Sequence, residues 1–306
     1  MTQYVLRRLL HSIVTLVGVS LVVFGILRIL PGDPARMMLP DGAPQSAVDE
    51  MSRQLGLREP LHVQYALFVL SVARGDFGES FQYRTAASAV VAERVMPTIH
   101  LSLAALALTV LFGVPAGILA AARRGTLLDY GGMALAALGQ SLPNFWLGIM
   151  LVLLFGVALG WLPTSDYKGP SYLVLPAVTL AAFPMALVAR LTRSSMLDVL
   201  SREYIRTARG KGLRDLAVVV GHGLKNAAIP VVTILGLQIG VLLGGAVITE
   251  SVFSWPGIGK LVVDSIFRRD FPVVQTVLIL SSTVFIVVNL LIDLTYTVLD
   301  PRIKYQ

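Results

Sequence analysis

The stretch Leu9–Leu30, LLHSIVTLVGVSLVVFGILRIL, stands directly behind Arg7 and Arg8 and decides how the chain is read. A helix needs about 20 apolar residues to cross a hydrocarbon core of roughly 30 Å, and this run is long enough. It is too long for the apolar region of a secretory signal and lacks a small-x-small cleavage site before Pro31. It therefore reads as a retained anchor with the N-terminus in the cytoplasm. Five more apolar stretches follow, near 99–121, 131–160, 172–190, 229–249 and 274–298. Over all 306 residues the chain is 55% hydrophobic and 14% charged, whereas a soluble domain carries about 25% charged residues. The expected fold is an all-α integral membrane protein of six transmembrane helices. The chain has no Cys, which excludes disulfides and thiolate chemistry, and His11, His62, His100 and His222 are too scattered to form a metal-ligand pattern.

Basic residues in short loops are retained on the cytoplasmic side. With the first span fixed as above, fourteen Lys and Arg fall inside, among them Arg123, Arg124, Arg302 and Lys304 and eight from Arg190 to Lys225. Only Lys168, Lys260, Arg268 and Arg269 fall in short outer loops. Both termini are expected in the cytoplasm. The domain plan is then 1–30 for the N-terminal end and first span, 31–98 for a small folded extracytoplasmic subdomain, 99–298 for a five-helix core, and 299–306 for a cytoplasmic tail. Within the core, 191–228 forms a cytoplasmic loop rich in helix formers from Arg193 to Lys211.

In that loop, Glu203-Tyr204-Ile205-Arg206-Thr207-Ala208-Arg209-Gly210-Lys211-Gly212-Leu213 puts small residues on a short helix and ends it on glycines. Thr207 and Ala208 would let another protein approach closely, and Gly212 can take the positive φ that redirects the chain. The same segment also reads as a basic amphipathic helix on anionic headgroups, at about 1 kcal/mol per basic residue. Spacing alone leaves both open.

The wording Tyr204–Gly212, followed by His222-Gly223-Leu224-Lys225-Asn226-Ala227-Ala228-Ile229-Pro230, resembles the cytoplasmic loop of permease subunits of binding-protein-dependent ABC importers. So do Leu30-Pro31-Gly32-Asp33-Pro34, Gln54-Leu55-Gly56-Leu57, Gly75-Asp76-Phe77-Gly78, Trp255-Pro256-Gly257-Ile258-Gly259 and Leu299-Asp300-Pro301-Arg302-Ile303, which are similar to the dipeptide/oligopeptide/nickel group. Against the general Glu-Ala-Ala-x-x-x-Gly pattern aligned on Gly212, Arg206 stands at the acidic position and Thr207 at the first Ala, while Ala208, Gly212 and Leu224 match. The resemblance implies a type I ABC importer permease fold and a non-enzymatic subunit of a peptide importer, glutathione included, in the cell inner membrane. It also implies a second homologous permease, two cytoplasmic ATPase subunits and an extracytoplasmic solute-binding protein. Coupling to the ATPases falls on Glu203, Tyr204, Arg206, Thr207, Ala208, Arg209, Lys211, Gly212 and Leu224. No Gly-x-x-x-x-Gly-Lys-[Ser/Thr] occurs, so no cofactor is expected on this chain, and ATP and Mg belong to the partner ATPases. A nickel or other small-solute permease of the same family is the alternative.

Polar groups inside spans tend to face a partner helix or a water-filled path. Gln140, Ser141 and Asn144 flank Pro143, whose missing N–H kinks the third span. Thr233 and Gln238 accompany Gly236, Gly240 and Gly244, a small-x-x-x-small stripe suited to close helix packing. Asp293 in the sixth span either reaches the cytoplasmic interface or lines the path. Trp255, Pro256 and Gly257 form either an interfacial anchor or an outer gate and docking surface for the binding protein. A secondary transporter would need matching broken helices in two repeats, and a membrane scaffold or receptor would dock a partner without moving solute. No internal repeat is apparent in the sequence.

Overall fold

The computed structural model describes residues 2–29, 34–40 and 42–299, and among them nearly every residue outside turns is helical. Asp300, Pro301, Arg302 and Lys304 lie outside the described residues, as do the side chains of Arg28 and Asp293. Two compact units divide the described chain, 2–95 with 261–287 and 96–260 with 288–299.

The first unit begins with α1 (Thr2–Ile29). Its apolar side chains point outward, with Val14 69% exposed and Val22 59%, as expected of a helix solvated by lipid rather than by its own chain. Only the end of α1 is covered. There Phe24 meets Tyr65 edge-on at 5.5 Å and Phe68 at 5.8 Å, and Ser20 shares a 2.8 Å hydrogen bond with the Tyr65 hydroxyl. Both aromatics belong to α4 (Leu61–Ala73), which follows the short α2 (Pro34–Met38) and α3 (Gln45–Gln54). Gly56 turns the chain between α3 and α4 at φ +65°. The buried Gln64 amide donates to the carbonyls of Leu57 and Glu59, tying that turn down. The expected small subdomain is thus a set of short helices. Its last dozen residues already belong to α5 (Ala87–Leu108), which starts the second apolar helix well before residue 99.

The second unit is organised around α9 (Pro170–Leu200), 31 residues long and buried along much of its length. Against it run α6 (Val114–Ala122), joined to α5 through a π-helical turn at Thr109–Gly113, and α7 (Leu127–Ser141). A Cβ on Gly113 would stand 2.8 Å from the Met185 carbonyl oxygen, and one on Gly117 would stand 2.5 Å from that of Ala189. Glycine is therefore what lets α6 lie backbone to backbone on α9.

Ala87–Ala122, Pro170–Leu200, Ala217–Leu242, Arg7–Gly25 and Phe271–Ile292 are long and apolar enough to cross a membrane. The third expected span is not one helix. α7 and α8 (Asn144–Leu151, continued by a π-helical stretch to Ala158) meet at 104°, so six spans are reached only if this bent pair counts as one. Pro143 accounts for the break, because the residue before a proline is driven out of the helical region; Leu142 lies at φ −80°, ψ 128°.

The expected cytoplasmic loop 191–228 is also mostly helix. α9 runs on to Leu200, α10 covers Glu203–Gly210, and the next apolar helix begins at Ala217 rather than 229, continuing as α11 (Lys225–Gly245). The helix expected over Arg193–Lys211 is broken at Ser201-Arg202. Beyond α11 come α12 (Val247–Val252), α13 (Ile258–Phe267) and α14 (Phe271–Leu299).

Candidate functional site

α10 is an eight-residue helix with Glu203 in its first turn and Arg209 in its last, charges placed to suit the helix dipole. Ile205 and Ala208 are buried and pack on Val218 and Leu200, which fixes α10 to the helices on either side of it. The opposite face is open. Glu203, Tyr204, Arg206, Thr207, Arg209 and Lys211 are all exposed. Gly212 ends the segment at φ +78° with nothing within 4 Å of where a Cβ would be. Its requirement for glycine is conformational, not steric. Two of the residues assigned to coupling sit elsewhere: Ala208 faces inward, and Leu224 is half-buried against the cluster of Ala121, Met196, Val219 and Ala227. The presented surface is therefore an acidic residue, a tyrosine, a threonine and three cations.

A second constellation surrounds Glu250. This side chain is completely buried. Its Oε1 accepts from the Thr98 hydroxyl at 2.7 Å, and its Oε2 accepts from the Lys260 backbone N–H at 2.9 Å. Thr98 Oγ1 in turn accepts from the Ile258 N–H at 2.9 Å. A Cβ on Gly257 or Gly259 would run into the Glu250 carboxylate or the Val247 backbone, so both glycines are needed for the loop to wrap it. Burial is the largest influence on the Glu250 carboxyl and raises its pKa, opposed by the bonds from Thr98, Lys260 and Gly259. Trp255, fully buried, donates from Nε1 to the Pro97 carbonyl at 3.0 Å and packs 4.4 Å from the Tyr167 ring. Tyr167 also shares a 2.8 Å hydrogen bond with His100 Nδ1. Trp255 is thus not an interfacial anchor, and Gly257 is buried with it while Pro256 is half-buried. Sequence reading missed Glu250 as the organiser of this loop; the signal was a lone carboxylate directly after an apolar helix.

The candidate path residues are dispersed. Gln140 and Asn144 are half-buried on the two sides of the 104° bend, while Ser141 is exposed and bonds back to the Ala137 carbonyl at 2.8 Å. Gln238 is buried, and Thr233 bonds the Ile229 carbonyl at 2.8 Å. Gly236 is faced by the Ile292 side chain, 3.1 Å from its would-be Cβ. Gly240 is buried, and the surroundings of Gly244 lie outside the described residues. A further contact the sequence did not flag joins α7 to α9. Arg193 grips Asp129 through Nε at 2.5 Å and a terminal nitrogen at 2.8 Å, and the Gly125 N–H completes the carboxylate at 3.0 Å. In the first unit, buried Asp270 likewise accepts from the Ser80 hydroxyl at 2.5 Å and from the N–H groups of Phe81 and Gln82. No cluster of metal-ligating side chains occurs among the described residues.

Residues 113–305 match the family described as binding-protein-dependent transport system inner membrane component, and residues 1–104 match its N-terminal companion. The chain belongs to this family. It is a multi-pass inner-membrane permease of the ABC importer class, not a member of an enzyme family. Curated relatives include the glutathione transport system permease protein GsiC of Salmonella choleraesuis (strain SC-B67), 46% identical over 306 residues. The protein of the same name from Escherichia coli (strain K12) is 44% identical, and in both pairs the match covers all of each chain. Among solved structures, the MetNI methionine ABC transporter in inward-facing conformations has a subunit with TM-score 0.59 and 18% identity, covering 69% of this permease and 96% of that chain. An amino acid ABC transporter crystallised with histidines gives 0.54 and 16%, covering 67% and 92%. These neighbours identify the type I importer permease fold.

Proposed function

We propose that this permease forms half of the membrane path of an ATP-driven importer of glutathione and similar small peptides. The observation carrying the reading is identity of 46% over the whole length with a glutathione transport permease of equal length. A second homologous permease would complete the path, two ATPase subunits would supply ATP and Mg chemistry, and a binding protein would deliver solute from outside. Orientation follows from the charge distribution: termini and α10 in the cytoplasm, 31–98 and the Glu250–Lys260 loop outside. The division proposed is 1–30, 31–98, 99–298 with its 191–228 segment, and 299–306, with the boundary near 98 falling inside α5 (Ala87–Leu108).

In this mechanism α10 is the contact with an ATPase subunit. Its exposed face offers Glu203, Tyr204, Arg206 and Thr207, and its buried Ile205 and Ala208 pass movement to the helices beneath. ATP binding closes the ATPase pair and shifts the permease between inward- and outward-open states. Moving such an equilibrium from 1:99 to 99:1 takes about 5.5 kcal/mol of differential binding, shared between nucleotide and docked binding protein. Gln140, Asn144, Thr233, Gln238 and Asp293 are the candidates for contact with solute.

The test is uptake of labelled glutathione by cells lacking their own system and given this chain with the ATPase, second permease and binding protein from the same organism. ATP-dependent accumulation, competed by unlabelled glutathione, is expected. Uptake of nickel but not of glutathione or dipeptides would replace the solute assignment, and accumulation without the ATPase would overturn the importer mechanism.

A further inference from the structure

Three apolar helices of the second unit end at the same place. Ala122 closes one candidate span, Leu200 closes another and Ala217 opens a third, and a cavity of about 430 Å³ is bounded by residues at all three ends. Its position is thus set by hydropathy at the level where hydrocarbon gives way to headgroups. Its walls are of two kinds. Arg123, Arg124 and Arg209 line it, against one carboxylate, Asp215. Asp215 is engaged by Arg209 at 3.3 Å; the Arg124 charge acts through space on Asp129, which Arg193 already grips, and among the described residues no direct ion pair involves Arg123 or Arg124. The remaining lining is largely aliphatic and continues outward onto Leu119, Leu216 and Val220, which are 60%, 76% and 46% exposed.

We propose that this cavity binds the headgroup of an anionic phospholipid from the surrounding membrane, with the acyl chains lying along Leu119, Leu216 and Val220. Cationic side chains beside an exposed aliphatic strip match both halves of such a molecule. The strip opens the cavity toward hydrocarbon, where a lipid is the neighbour at hand, whereas an acidic protein segment would use the arginines alone. A phosphate diester accepts paired guanidinium donors well, which lysine in the same places would not reproduce. Arg209 also ties the site to α10. A bound lipid would therefore brace the helix proposed above to meet the ATPase, although the lipid site itself rests only on membrane embedding and not on that docking role.

The test uses the full chain purified in neutral detergent and titrated with phosphatidylglycerol or phosphatidylcholine of identical acyl composition. Bound lipid is read by native mass spectrometry, and its position by a photoreactive phosphatidylglycerol. Preferential binding of phosphatidylglycerol is expected, with crosslinks in 118–124 and 213–220. The paired change Arg123→Gln and Arg124→Gln should weaken it about 30-fold, as expected for two basic groups near a headgroup. Ala122→Trp, which puts a bulky ring into the cavity and keeps every charge, should sharply reduce the crosslinks as well. Equal binding of both lipids, crosslinks confined to other helices, or displacement by inorganic phosphate alone would overturn the proposal. In membranes carrying the assembled importer, crosslinking from position 123 to an ATPase subunit with loss of the lipid would overturn it too. Lipid binding is read without transport, so failure of glutathione uptake leaves this result standing and a negative here leaves the uptake result standing.

Discussion

Adding one methyl group at Gly117 should destabilise this permease more than the same change at any open glycine. An alanine Cβ there would lie 2.5 Å from the Ala189 oxygen, 2.6 Å from Thr192 Cβ and 3.0 Å from the Arg193 nitrogen. Ordinary contact begins near 3.4 Å, so α6 would have to retreat from α9 by close to 1 Å. Two of the three obstructing atoms are backbone, and Ala189 and Thr192 are buried, so no rotamer change relieves the clash. Overpacking of this kind costs about 1–3 kcal/mol, and the rigid partners place Gly117→Ala toward the upper end. For a chain of this size that is a fall in melting temperature of roughly 4–10 °C. The control is Gly131→Ala on α7, where nothing lies within 4 Å. There the methyl meets open space and better helix propensity, for a change of no more than about 1 kcal/mol in the stabilising direction. Both variants would be melted in the same detergent and followed by tryptophan fluorescence and by recovery of the monodisperse peak. If Gly117→Ala melts no lower than Gly131→Ala, the backbone-to-backbone contact described here is wrong.

Three further outcomes are expected. Gly212→Val forces a branched residue to φ +78°, a local backbone strain, where nothing lies within 4 Å of the added Cβ, so the membrane level should stay normal while stimulation of ATPase activity and uptake fall together; wild-type coupling at normal level would remove the docking role from this turn. Glu250→Gln puts an amide N–H against a donor already aimed at the carboxylate, Thr98 or Lys260, and should cost about 1–3 kcal/mol in a thermal melt. Because the folded-state pKa of Glu250 is raised, its contribution is full below the ordinary value of 4.5 and declines as pH rises through the folded-state pKa; the Gln variant should lose that slope, and an unchanged pH profile would count against it. Asp270→Ala strands three donors, Ser80 Oγ and the N–H groups of Phe81 and Gln82, and limited proteolysis should then cut the 79–86 turn first.

Apolar length and charge sufficed to find the long apolar helices, though not their ends or the break in the third, and a glycine after a short basic helix sufficed to read the positive φ at Gly212. What they could not supply was the partner of each residue. Pro143 signalled a kink, but whether the chain bends slightly or by 104° depends on what α8 packs against. Gly148 lies within 3.2–3.3 Å of Phe253, Thr179 and Val252 at its would-be Cβ, contacts remote in sequence. Gly236, Gly240 and Gly244 and the pair Gly113 and Gly117 have the same four-residue spacing. Only the second pair has a helix backbone shown against it, while Gly236 meets a side chain. Trp255 looked suited to a membrane interface because tryptophan is common there. A residue type does not say whether its N–H finds a headgroup or the Pro97 carbonyl. The Asp129–Arg193 pair was hidden for a similar reason, since 64 residues separate two charges that read individually as loop and helix end.

The glycine seam along α9 also has a mechanical consequence. Gly113 and Gly117 receive the helix at Met185 and Ala189, one turn apart on both sides. If α9 rotated about its own axis, the side chains of Val188 or Thr192 would sweep into the space that the missing Cβ atoms leave open. The helix is keyed like a shaft in a slot: tilt together with α6 preserves this contact, whereas spin against it would break it. α10 is attached to the end of that shaft through Ser201 and Arg202. Under the proposed mechanism, a push on α10 would be delivered as tilt of a two-helix blade, its rotation opposed by the close backbone contact at Gly113 and Gly117.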